Sequence, residues 1–243
     1  MLESFAWGFV ASASLILGGV ITLQWRIDKR LLGVVMAFGA GVLISAVAFE
    51  LVEEAFETSP GNGSLALGLA AGSLVFYAGD TLIDRLGGEH RKRSGGGQAA
   101  GSAPAIVLGI VLDGVPESIV LGLTIVTGGS VSAAFLVAVL LSNLPESIAA
   151  SSGLTQAGWR RTRLLGLWTL VALVSGLAAL LGFAVFDSAS PDTIAFVLAF
   201  AAGAILTMLA DTMMPEAFEH GGKLVGLATT FGFGLAFAIT ALE

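Results

Sequence analysis

The sequence predicts an all-α integral membrane protein of eight transmembrane helices, with both termini on the extracytoplasmic side. Three observations predict it. Hydrophobic residues make up 56% of the 243, charged residues only 12%, and mean hydropathy is +0.92. A soluble domain needs roughly 25% charged residues to cover its surface, so this composition excludes one. Apolar stretches long enough to cross ~30 Å of hydrocarbon, about 20 residues each, recur eight times. The basic residues then fall on alternate connections only. Glycine, at 33 residues, is near twice its usual ~7%, which fits close helix packing in lipid. Cysteine is absent, which excludes disulfides, thiolate metal sites and cysteine nucleophiles.

The helices are expected at Phe5–Leu23, Leu31–Phe49, Leu65–Leu86, Ala105–Thr127, Val131–Ser152, Leu164–Phe186, Ile194–Met213 and Val225–Leu242. They form one transmembrane domain over residues 1–243, in which helices 1–3 occupy 5–86, helices 4 and 5 occupy 105–152, and helices 6–8 occupy 164–242. The first helix is read as a span rather than a cleaved leader, since it lacks a basic start. Arg26, Lys29 and Arg30 follow helix 1, and Arg85, Arg91, Lys92 and Arg93 end or follow helix 3. Arg160, Arg161 and Arg163 follow helix 5, and Lys223 follows helix 7. All 11 Lys and Arg thus lie on one side, the cytoplasmic side by the positive-inside rule. The expected location is a plasma membrane, the bacterial inner membrane, with the lipid bilayer as partner and no role for nucleic acid. The connection 87–104 (GGEHRKRSGGGQAAGSAP) is Gly-rich and basic and reads as disordered, with His90 solvated. Gly68-x-x-x-Gly72 on helix 3 offers a face for a homodimer.

Two internal matches stand out. Phe38-Gly39-Ala40-Gly41 in helix 2 precedes Glu54-Ala55-Phe56-Glu57 by sixteen residues, and Phe200-Ala201-Ala202-Gly203 in helix 7 precedes Glu216-Ala217-Phe218-Glu219 at the same spacing. Val115-Pro116-Glu117-Ser118-Ile119 in helix 4 matches Leu144-Pro145-Glu146-Ser147-Ile148 in helix 5. Within each match the two helices run in opposite directions, the pattern of inverted repeats in secondary transporters, whose site lies where the repeats meet.

Carboxylates inside a bilayer cost about 2.5–3.5 kcal/mol each on insertion scales and mark function. Helix 4 carries Asp113 and Glu117 at i,i+4, on one face. Helix 5 carries Ser142 and Glu146 at the same spacing, with Asn143 beside them. Pro116 and Pro145 lie about 20 and 24 Å along their helices from the turn at Gly129, so both motifs reach similar depth. Each proline removes a helical hydrogen bond and frees the carbonyl of Leu112 or Leu141. With no Lys or Arg deeper in a span than Arg85 at the inner end of helix 3, a cation or protons must neutralise these acids. Asp80 and Asp84 near the inner end of helix 3 read as solvated, with Asp80 and Tyr77 lining a path as the alternative. Glu50, Glu53 and Glu54 at the outer end of helix 2, with Asp211 and Glu216 at the inner end of helix 7, read equally as stations along a cation path or as solvated helix-end charges.

These residues resemble those of the ZIP (zinc- and iron-regulated transporter-like) metal transporters. Helix 2 (AFGAGVLISAVAFELVEEAFE), helix 7 (AFAAGAILTMLADTMMPEAFEHGG), the long third connection and the Pro-Glu motifs carry the likeness over nearly the whole chain. It implies a 3+2+3 inverted-repeat bundle, with helices 1–3 and 6–8 related by pseudo-symmetry. It also implies transport rather than an enzymatic reaction, no fixed cofactor, and a divalent metal ion as cargo. The family's helix 4 reads His-Asn-x-Pro-Glu-Gly, where this chain has Asp113, Gly114 and Ser118 in place of His, Asn and Gly. In helix 5 Asn143 stands where Asp or His is usual, and Ser147 replaces Gly. Helix 6 lacks the ligand Glu of some relatives, leaving Ser175 as its nearest polar candidate. The resemblance carries over one site, built from Asp113, Glu117, Asn143 and Glu146, with the 4–5 hairpin moving against the repeats. The family implies zinc or iron, whereas oxygen ligands suit manganese or similar hard ions. A proton-coupled carrier of another solute and a non-transporting scaffold or regulator are the alternatives.

Overall fold

A computed structural model describes residues 2–61, 63–89, 91, 94 and 101–242. Seven helices are long and apolar enough to cross a membrane: α1 (Leu2–Gln24), α2 (Lys29–Thr58), α3 (Ser64–Gly88), α4 (Ala103–Gly128), α5 (Ala133–Gln156), α6 (Arg161–Phe186) and α7 (Pro191–Gly221). The eighth, α8 (Leu224–Thr240), is apolar but has 17 residues, about 26 Å of helix. No strand occurs among the described residues.

Helix starts follow local chemistry. Asp28 caps α2 by accepting from the Leu31 N–H at 3.0 Å, and Ser132 caps α5 by accepting from Phe135 N–H at 3.0 Å. Gly129 ends α4 at φ 72°, the left-handed conformation that glycine adopts without penalty, and its N–H donates to Ile125 at 3.0 Å. That makes the α4–α5 hairpin tight. Both helices continue through Pro116 and Pro145.

The expected ends of helices 2 and 7 fell short. Each continues beyond a π-helical stretch, Val47–Glu53 in α2 and Leu209–Met213 in α7, before a final α-helical segment. Each stretch starts nine residues after the repeat phenylalanine, Phe38 or Phe200. The internal repeat is therefore structural as well as sequential. Polar residues at those ends mimic a loop to hydropathy, but the backbone keeps its helical bonds.

Helix pairing has the same exchange symmetry. α2 packs on α8 as α7 packs on α3, α1 on α5 as α6 on α4, and α1 packs directly on α6. The seams are glycine-lined. A Cβ on Gly41 would lie 2.0 Å from the Thr229 carbonyl oxygen, and one on Gly72 would lie 1.9 Å from that of Phe200. Only glycine allows backbones this close. Gly68 and Gly72 thus serve the α3–α7 seam within the chain, so the face expected to dimerise is already covered. The strongest pairings sort the helices into two sets, α1/α4/α5/α6 and α2/α3/α7/α8, joined through α2–α5, α3–α4 and α4–α7. This grouping differs from a hairpin set against two three-helix units, because α4 and α5 pack on α6 and α1 far more than on each other.

Candidate functional site

α4 and α5 present the two Pro-Glu motifs to the protein interior. Asp113, Glu117, Ser142, Asn143 and Glu146 are all buried, at 1–8% exposure. Asp113, Asn143 and Glu146 line one cavity of about 20 Å³, with Gly114, Ser12 of α1 and Trp168 of α6. That volume admits roughly one water-sized particle. Trp168 is fixed as a wall by donating its indole N–H to Ser151 at 2.8 Å. Ser142 turns away, donating to the Val139 carbonyl at 3.1 Å. Ser175 is buried on α6, and its Oγ would lie 3.8 Å from a Cβ on Gly114. Among the described residues, no three His, Asp or Glu side chains stand close enough together to hold a metal ion.

The cluster has a basic partner, contrary to the sequence expectation. Arg91, three residues beyond α3, is 2% exposed. Its Nε donates to Asp113 Oδ2 at 3.0 Å and its Nη2 to Asp113 Oδ1 at 3.2 Å, a fork on one carboxylate. Nη2 also contacts Asp80, and Nη1 reaches Asp84 at 3.4 Å. Asp80 and Asp84, expected in solvent, instead hold this guanidinium from α3. Burial works against the Arg91 charge, but the Asp113 and Asp80 carboxylates outweigh it and raise the guanidinium above its ordinary range. Gly109 makes the route: a Cβ there would sit 2.2 Å from Arg91 Cδ.

The same connection makes a second contact. Ser94 donates to Glu216 Oε1 through both its backbone N–H and its hydroxyl, each at 2.8 Å. His220 Nε2 lies 3.2 Å from that oxygen and 2.9 Å from Ser94 Oγ. Gln156 at the end of α5 donates to the Ser94 carbonyl at 2.8 Å. The connection was expected to be disordered throughout, yet Arg91 and Ser94 are buried. His90, Lys92, Arg93 and 95–100 lie outside the described residues.

The expected path residues divide between opposite ends of the bundle. Glu50 accepts from Ser132 at 2.7 Å and from Thr240 at 2.8 Å, and Glu54 is half-buried nearby. At the other end Asp211 and Glu216, with Glu89, Glu219 and Arg91, line a cavity of about 80 Å³. A larger cavity of about 610 Å³, lined by Gln24, Arg26, Lys29, Ser94, Ser152 and Gln156 among others, opens beside it.

Arg91 was missed because GGEHRKRSGG offers three equivalent basic residues and no periodicity. A signal did exist. Asp80 and Asp84 share one face of an apolar helix at i,i+4, and two buried-side carboxylates need a counter-ion.

No family model matches the chain. It is 27% identical, over 231 residues, to a protein of Arabidopsis thaliana provisionally named a zinc transporter. The match covers 93% of this chain and 36% of that protein, so the chain spans about a third of its relative's length. The likeness supports the ZIP-like assignment that the motif resemblance implies.

Proposed function

We propose that the chain is a divalent metal-ion transporter, a carrier rather than an enzyme, that passes zinc, iron, manganese or a similar ion through a site between α4 and α5. The observation that carries this reading is the cavity of about 20 Å³ lined by Asp113, Asn143 and Glu146, with Glu117 buried one turn from Asp113. Buried carboxylates in a membrane domain need a compensating cation. An amide oxygen and carboxylates supply hard ligands to it. The similarity to a named zinc transporter supports metal as the cargo.

The proposed setting is a bacterial inner membrane crossed by all eight helices, with both termini outside. All eleven basic residues of the sequence fall on one side in that arrangement. The inverted repeat supports alternating access. The helix pairings favour α1/α4/α5/α6 as the moving set, since the cavity is built within it. Glu50 and Glu54 would receive or release the ion at one end, and Asp211 and Glu216 at the other.

The test is flux of Zn²⁺, Mn²⁺, Fe²⁺, Co²⁺ and Cd²⁺ into proteoliposomes, wild type beside Glu117→Gln/Glu146→Gln. Uptake that the double variant abolishes supports transport and the site. Uptake that survives it removes the site assignment. A second reading, a relative that no longer transports, draws on the guanidinium held by Asp113. Absence of flux for the whole panel, in intact vesicles holding folded protein, selects it.

A further inference from the structure

The contacts of Arg91 add a polar tie between two helix sets that each pack more strongly within themselves than on each other. Asp80 and Asp84 belong to α3, in the α2/α3/α7/α8 set, whereas Asp113 belongs to α4, in the set that holds the cavity. Ser94 repeats the pattern by bonding Glu216 of α7 on one side and Gln156 of α5 on the other. Two residues of one connection therefore tie the same two helix sets together. The carboxylate that Arg91 holds is also one wall of the cavity.

We propose that Arg91 is a built-in competitor of the transported metal ion: its guanidinium holds Asp113, and an arriving divalent cation gains that carboxylate only by displacing it, which removes one polar tie between α4 and α3. This rests on the reading of the α4–α5 cavity as the cation site. The exchange leaves no buried charge stranded. Once displaced, Arg91 retains Asp80 and Asp84, while Asp113 passes to an ion of higher charge. Removing a partner without replacement strands a buried charge, which is strongly unfavourable. The arrangement thus ties the helix sets when the site is empty of metal and loosens them when it is filled. It also sets the threshold affinity, because weakly bound ions do not outcompete a bidentate guanidinium.

The experiment is calorimetric binding of Zn²⁺ and Mn²⁺ to the purified full chain in nanodiscs. Arg91→Gln is expected to tighten the metal Kd tenfold or more, and Arg91→Lys, which keeps the charge but loses the fork, to tighten it a few-fold. In Arg91→Gln/Asp113→Asn the gain disappears, since competition acts at Asp113. Methylguanidinium, at a non-denaturing concentration, weakens metal binding to Arg91→Gln but not to wild type. A merely structural Arg91 would show no such rescue of competition. Should Arg91→Gln fail to fold, judged by gel filtration, Arg91→Lys carries the test. Unchanged or weakened metal binding in the folded Arg91 variants overturns the proposal. Failure of the underlying site reading is distinct: there, metal binding survives Glu117→Gln/Glu146→Gln whatever stands at position 91.

Discussion

Gly122→Ala tests the packing that places the site. α4, which carries Asp113 and Glu117, lies against α6 so closely that a Cβ on Gly122 would stand 2.1 Å from the Ala179 carbonyl oxygen and 2.8 Å from Phe183 N. The reciprocal approach is nearly as close, with a Cβ on Gly182 at 2.5 Å from the Ile119 carbonyl oxygen. Ordinary contact begins at 3.4 Å, so one methyl must open the seam by about 1.3 Å. Both neighbours are helix backbone and cannot rotate away. Overpacking of this kind costs about 1–3 kcal/mol, against which alanine returns about 0.5–1 kcal/mol over glycine in a helix. The expected net loss is about 1 kcal/mol, within a range of about 0–2.5 kcal/mol. Gly166→Ala on α6 is the control, because nothing lies within 4 Å of its Cβ. It should be neutral or slightly stabilising. The assay is thermal unfolding of both variants in detergent, followed by metal flux in proteoliposomes. Gly122→Ala should unfold earlier and carry less metal, since the opening lies about one turn beyond Glu117. If Gly122→Ala matches Gly166→Ala in both stability and flux, the seam does not position α4 and the reasoning fails.

Other perturbations probe neighbouring parts. Asp113→Asn removes the carboxylate that accepts the Arg91 fork, with Arg91 at 2% exposure and Asp113 at 4%. The buried guanidinium loses one of its three partners but keeps Asp80 and Asp84, so the destabilisation, read from unfolding in detergent, should fall below the about 3–5 kcal/mol of a stranded buried charge. Ser132→Ala takes away both the α5 cap and the 2.7 Å bond to Glu50. The cap contributes about 1 kcal/mol, so the unfolding midpoint should fall by about 2–4 °C. Trp168→Phe keeps an aromatic wall on the cavity and loses the 2.8 Å bond to Ser151. It should cost about 0.5–1.5 kcal/mol while flux persists; Trp168→Ala should cost about 3–5 kcal/mol.

The helical class and the approximate place of every helix were legible because hydrophobic length and the sidedness of Lys and Arg are additive along the chain. The repeat between Phe38-Gly39-Ala40-Gly41 and Phe200-Ala201-Ala202-Gly203 was legible for a similar reason, since it is a local pattern repeated at fixed spacing. The structure adds π-helical stretches at matching positions after both motifs. Spacing was too weak at the ends of helices 2 and 7, where acidic residues look like loop although the backbone remains helical.

What the sequence determined by itself was a membrane-embedded all-helical chain with Asp113, Glu117, Asn143 and Glu146 on two neighbouring helices, because cost in lipid singles out buried acids one residue at a time. What tertiary structure alone decided was their company. Arg91 lies 22 residues before Asp113, in a stretch whose composition reads as solvated, and reaches Asp113 past Gly109 only once α3 and α4 are packed. Gly68 and Gly72 likewise read as a surface for a second copy until α7 occupies them. Which charge meets which, and which small face meets which helix, depends on distances that close only after the chain has folded.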